Sequence, residues 1–271
     1  MEPVTAPASA LLRAYDDQLR EAAEVADADD VRRDPPLWIA RFEDSGFVTY
    51  RDLGGLRGAE LSALVERTVR DLVADPAIVE VEWKSRGHDA ADGLPAALEA
   101  AGLHAEPVET VMIGEAAAVA GLMPAELPQG VEVCRVDDAP DAELWLTRAA
   151  VMQAEVFGGG PTPEQVITRQ VAKTGRAEYW VARAGERVLC AGRLELVPGT
   201  EFAGLWGGAC VPEWRGRGLY RALTAGRARS AVARGVRYLH SDCTEMSRPI
   251  LQRAGLVPVT TTTPYTWRRT A

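Results

Sequence analysis

Between Phe202 and about Gly235 the chain runs through a buried strand, a turn of glycines and arginines, and a helix, and few folds accommodate that succession. Phe202–Val211 is an almost unbroken apolar run, which predicts a strand covered on both faces. Leu219, Leu223, Ala225 and Val232 then mark a helix to about Gly235. The junction reads Arg215-Gly-Arg-Gly-Leu-Tyr-Arg221. The free amides and positive end of a helix start converge on one point there. Gly216 and Gly218 let the main chain approach a phosphate closely, and Arg215, Arg217 and Arg221 add charge that does not titrate away. The expected occupant is a pyrophosphate; the competing reading is a solvated basic turn. The spacing fits neither a Walker P-loop nor G-x-G-x-x-G.

The 271 residues suffice for one large or two small domains. A net charge of −9 argues against general nucleic-acid binding, yet residues 213–237 hold seven arginines and one acid, Glu213. Arg227, Arg229 and Arg234 are expected on a solvated helix face. No apolar run of about 18 residues and no signal-peptide pattern is found, so the expectation is a cytoplasmic protein without a membrane partner. Cys134, Cys190, Cys210 and Cys243 are scattered and histidines number three, which predicts buried free thiols and no metal site.

In chain order, residues 1–10 are expected to fray and 11–26 to form a helix broken at Asp34-Pro-Pro. Strands at 37–42 and 47–53 are followed by a helix at 59–74, a strand at 78–83, a short helix at 94–101 and a strand at 108–113. The stretch 115–130, rich in small residues and proline, is expected to be a linker between a first domain (1–114) and a second (131–271). The second half predicts strand 131–136, helix 142–157, a helix opened by Thr162-Pro163, strands at 178–184, 188–197 and 202–211, then the helix described above, strand 238–243, short helix 247–254 and strand 257–267. Ala101-Gly-Leu103 and Ala254-Gly-Leu256 each end a short helix after the order long helix, strand, short helix. This points to an internal duplication. The first copy has Leu53-Gly-Gly-Leu-Arg-Gly58 in place of the arginine-rich turn, so one ligand site and one supporting domain are expected.

With this order and Arg215-Gly-Arg-Gly218-Leu219, which follows the pattern Arg/Gln-x-x-Gly-x-Gly/Ala with Tyr220 in place of the last small residue, the second half resembles a GNAT-type N-acetyltransferase. The whole chain resembles tandem GNAT proteins with a degenerate N-terminal copy. The resemblance implies an α/β (α+β) fold of two domains, each a mixed, mostly antiparallel sheet flanked by helices. It implies acetyl-CoA as cosubstrate, with backbone of Ala209, Cys210 and Val211 along the pantetheine and residues 216–221 at the pyrophosphate. It also implies an amine acceptor, and the acidic balance favours a small cationic one. Transfer needs a base for the amine and an acid for the thiolate. The resemblance puts a glutamate where this chain has Gly204 and a tyrosine where it has Leu251. Candidate substitutes are Glu155, Asp242, Glu245 and Glu195. Trp206 shares strand parity with Gly204 and Gly208 and is expected on the substrate-cleft face, and Cys210 is read as a strand thiol, not a nucleophile. Two other readings stay open: a non-catalytic acyl-CoA-binding or regulatory protein, and a structural module with a protein partner.

Overall fold

The computed structural model describes residues 6–122 and 126–270. Residues 1–5 of the expected frayed start and 123–125 of the expected linker lie outside that set. The chain forms two compact units.

The first unit holds Ala8–Val111 together with Asp242–Glu245 and residues from 259 on. Helix α1 (Ala8–Gln18) buries Leu11 and Tyr15. It ends earlier than its periodicity predicts, because Arg20 turns extended and Glu21 takes a φ of 58° before a short 3-10 turn at Glu21–Ala23. Strand β1 (Asp30–Asp34) was not anticipated: its sequence Asp-Val-Arg-Arg-Asp has no apolar alternation, and it owes its form to pairing with β2 (Leu37–Phe42). Next come β3 (Ser45–Thr49), α2 (Gly58–Val73), β4 (Glu80–Arg86), α3 (Leu94–Ala100), β5 (His104–Ala105) and β6 (Glu109–Glu115), of which the last groups with the second unit from Met112 on. The helix α2 packs Leu61, Leu64, Val65 and Val69 into a core with Trp83 and Tyr50. Strands β1 to β3 are antiparallel neighbours, and β3 runs parallel to β4.

The second unit is built mainly from Met112–Ser241 and Met246–Pro258. It comprises α4 (Ala116–Ala120), β7 (Val131–Arg135), α5 (Ala142–Phe157), α6 (Pro163–Ala172), β8 (Ala177–Ala184), β9 (Arg187–Leu196), β10 (Phe202–Cys210), α7 (Leu219–Ala233), β11 (Tyr238–Cys243) and α8 (Arg248–Arg253). The order β7-β8-β9-β10 is antiparallel throughout, and β11 is added parallel to β10. A capping box between Thr162 and Gln165 starts α6. Within the expected linker, Ala116–Ala120 is helical and buries Ala116 and Val119.

The units do not follow chain order. A unit boundary falls between Val111 and Met112, ahead of the expected linker, and the last strand, β12 (Val257–Arg268), groups from residue 259 with the first unit. There it pairs antiparallel with β4 from Thr262↔Arg86 to Arg268↔Glu80. Each unit is thus a mixed, mostly antiparallel sheet with helices, and each carries one strand–helix–strand element whose two strands are parallel.

The repeated Ala-Gly-Leu has a backbone reason. Gly102 and Gly255 take φ of 89° and 86°, and the amides of Leu103 and Leu256 reach back to the carbonyls of Leu98 and Leu251, each at 3.0 Å. That is a Schellman ending, and Leu98, Leu103, Leu251 and Leu256 are all buried.

Two expectations are corrected. Cys190 and Cys210 form a disulfide and are not free thiols, because the β9–β10 register sets them opposite with Cα atoms 4.1 Å apart. Of the other two cysteines, which are not part of that disulfide, Cys134 is half-buried and Cys243 is buried. Arg227 is fully buried and not on a solvated face. Its guanidinium donates to the Arg193 carbonyl (3.0 Å) and the Thr224 hydroxyl (3.1 Å), in space that Gly192 leaves open. Burial holds its pKa below the ordinary arginine value.

Candidate active site

The arginine-rich turn lies between the end of β10 and α7. Gly216 and Gly218 have φ of 73° and 83°, values that favour glycine, and Gly218 is the N-cap. A Cβ on Gly216 would meet nothing within 4 Å, so the turn faces open space. The first-turn amides of Leu219, Tyr220 and Arg221 have no carbonyl one turn earlier to bond. Among the described residues no carboxylate forms an ion pair with Arg215, Arg217 or Arg221. Arg215 Nε donates to the Cys210 carbonyl (3.1 Å), which ties the turn to the end of β10 between Ala209 and Val211. Arg217 lies over the Trp214 ring at 4.8 Å, and Glu213, the one nearby acid, is taken by Arg187.

Beside the turn the sheet opens. The parallel ladder of β10 and β11 runs Phe202↔Tyr238, Ala203↔Leu239 and Gly204↔His240, and pairing stops there. Beyond it the Ser241 hydroxyl donates to the Leu205 carbonyl (3.0 Å). Between Trp206 and Ala209 a bulge interrupts the β9–β10 register, with Gly207 at φ 62°. Gln153 of α5 donates to the Gly207 carbonyl and accepts from the Tyr179 hydroxyl, which fixes the bulge.

The bulge corrects the face assignment. Gly204 and Gly208 do not share a face: a Cβ on Gly208 would strike the Tyr220 ring of α7, and one on Gly204 would strike the Trp206 indole. The room those glycines leave is therefore filled by the chain's own aromatics. The Trp206 indole covers Gly204 and stands edge-on to the His240 ring, with centroids 5.2 Å apart.

The acid candidates are dispersed. Glu155 is exposed near the end of α5, and Glu245 is exposed after β11. Asp242 groups with the first unit, where its Oδ2 accepts from Lys84 Nζ at 2.7 Å. Burial alone would lower the Lys84 pKa, but Asp242, with Tyr15 and Glu24, holds it well above the ordinary value, so the lysine stays charged. Glu195, opposite Gly204 across β9–β10, is held by Lys173 (2.8 Å) and Arg193 (3.0 Å). Leu251 is core. Sequence reasoning passed over His240, because only the β10–β11 register brings it beside Gly204.

The first unit differs at the equivalent places, although its turn glycines Gly54, Gly55 and Gly58 also face open space. The β3–β4 ladder also stops early, at Val48↔Trp83. The strand ends beyond are bridged by side chains: Arg86 donates to Thr49 (3.1 Å) and pairs with Glu24, Thr49 donates to Glu24 (2.6 Å), and Arg20 donates to the Tyr50 carbonyl (2.6 Å). In the turn before α2 the Asp52 carboxylate already accepts from the Gly54 amide (2.7 Å), so an anion of the chain's own sits there.

No protein-family model and no curated protein sequence matches the chain. Solved structures do. A GCN5-related N-acetyltransferase from Kribbella flavida aligns over 97% of this chain and 95% of its own, with TM-score 0.64 and 16% identity. One from Sphaerobacter thermophilus covers 86% and 76%, with TM-score 0.65 and 15% identity. A tandem GNAT protein from the clavulanic acid biosynthesis pathway covers 86% and 78%, with TM-score 0.61 and 15% identity. The chain therefore has the fold of the GCN5-related N-acetyltransferases in a tandem arrangement.

Proposed function

We propose that the chain is an acyltransferase that moves an acetyl group from acetyl-CoA to the amine of a small cationic acceptor, by direct transfer in a ternary complex. The observation that carries this reading is the contrast between the two turns: both leave open space at their glycines, but the second surrounds that space with Arg215, Arg217 and Arg221, none of them ion-paired among the described residues, whereas in the first the Asp52 carboxylate accepts from the Gly54 amide. In this reading the amides of residues 216–221 and the side chains of Arg215, Arg217 and Arg221 hold the pyrophosphate, while backbone of Ala209, Cys210 and Val211 lies along the pantetheine. Acetyl-CoA supplies an acyl carbonyl activated as a thioester. The chain's share is to hold the two reactants in register and to manage the amine's proton. The acidic balance favours a cationic acceptor over nucleic acid, and a cytoplasmic setting suits a protein that draws on acetyl-CoA.

Calorimetry with acetyl-CoA tests the donor site. Saturable binding is expected, and its loss is expected in Gly218→Glu, which sets a carboxylate and a Cβ where a phosphate would lie. No saturation at millimolar ligand, or full affinity in the variant, would sink the reading. Thiol release with spermidine, kanamycin and lysine then tests transfer. The filled space at Gly204 and the core position of Leu251 favour a second reading, a binder that releases no thiol above background hydrolysis.

A further inference from the structure

We propose that His240 is the general base of the transfer, taking the place left by the missing glutamate; this rests on the acetyltransferase reading above. His240 is the partner of Gly204 in the last rung before β10 and β11 part. In a parallel pair such partners point to the same face, and the edge-on contact of His240 with Trp206, whose indole covers Gly204, agrees. The imidazole therefore stands one strand over from where a carboxylate on residue 204 would project. The Phe202 ring, at 6.0 Å, backs it on the side away from the gap.

The alternatives in this unit are spent or misplaced. Glu195, the other neighbour of Gly204, is bound to two cations, and Glu155 is exposed on α5. His88 and His104 belong to the first unit, so His240 is the one imidazole here. Imidazole is the side chain suited to accept and return a proton near neutral pH. The step balances as follows. An acceptor ammonium gives one proton to His240, and its nitrogen lone pair forms a C–N bond to the acyl carbon. The C–S bond breaks with its pair on sulfur, and the proton then lost by nitrogen passes to the thiolate. His240 returns its proton to solvent.

The test uses the full chain, His240→Ala and the bulkier His240→Gln. Thiol release with spermidine, kanamycin and lysine is measured beside acetyl-CoA affinity. Expected is a fall in kcat of at least about 100-fold in both variants, unchanged acetyl-CoA affinity, and partial rescue of His240→Ala by added imidazole. Rates near wild type overturn the proposal. So does a loss that imidazole does not restore, which would make His240 a packing residue. If wild type binds acetyl-CoA and turns over none of the amines, the transfer reading fails and the base goes with it. That result is distinct from an active wild type with an active variant.

Discussion

Glu178 is the most heavily partnered acid of the second unit. Its buried carboxylate accepts from Ser230 (2.7 Å), Trp180 (2.9 Å) and Arg234 (3.1 Å), and Arg135 lies at 3.3 Å. Burial alone would raise its pKa; the Ser230, Trp180 and Arg234 bonds, with the Arg135 charge, more than offset that and hold it below the usual carboxylate value. A lowered folded pKa contributes stability above the unfolded value of about 4.3, and the contribution is lost as pH falls through the folded one. Glu178→Gln should therefore cost about 1–3 kcal/mol at pH 7 by chemical denaturation, with the gap to wild type narrowing below pH 4. A difference independent of pH would mean the charge is not what matters. The same scale shows why the proposed donor turn can be read from sequence and the proposed base cannot. Arg215-Gly-Arg-Gly218 would act through main chain and sequence-local charge. Gly204, Trp206 and His240 acquire meaning only through a cross-strand rung and a bulge, which no local pattern encodes.

At the level of elements, the two Ala-Gly-Leu endings were read as a repeat from three identical residues and an element order. Their hydrogen bonds give the physical cause, since a Schellman ending needs a left-handed residue where glycine sits and an apolar residue just after it. Gly102→Ala and Gly255→Ala should each destabilise by about 1 kcal/mol, read from denaturant midpoints. Nothing lies within 4 Å of either missing Cβ, so the cost is backbone strain alone. Equal effects are expected because the two φ values differ by so little; a neutral substitution at either site would show that its turn relaxes. The Cys190–Cys210 pair marks the opposite case. Their separation in sequence gave no reason to pair them, and the β9–β10 register did. Likewise β1 carries no alternation of its own and is a strand because β2 offers it an edge.

For the whole molecule, the decisive fact is that chain order and compact units part company. The sequence read a second domain from residue 131 to the end, and the nearest sequence-based fragment to express would be 131–271. That piece carries β12 without β4, the strand that pairs with seven of its residues from Thr262 to Arg268. Thr262, Tyr265 and Thr266, all buried in the first unit, would be bared. The fragment also lacks α4, whose Ala116 and Val119 are fully buried in the second unit and whose first amide donates to the Arg237 carbonyl (2.8 Å). An exposed strand with free ladder groups is a site for aggregation. The 131–271 fragment should therefore be insoluble, or soluble without a cooperative thermal transition, while the full chain unfolds cooperatively and binds acetyl-CoA. Circular dichroism melts and size exclusion on both decide it. A monomeric fragment that melts cooperatively and binds acetyl-CoA with full affinity would show that the donor site needs neither the preceding 130 residues nor a partner for β12. It would then be the grouping of residues 259–270 with the first unit, not the turn at Arg215–Arg221, that carries no weight in function.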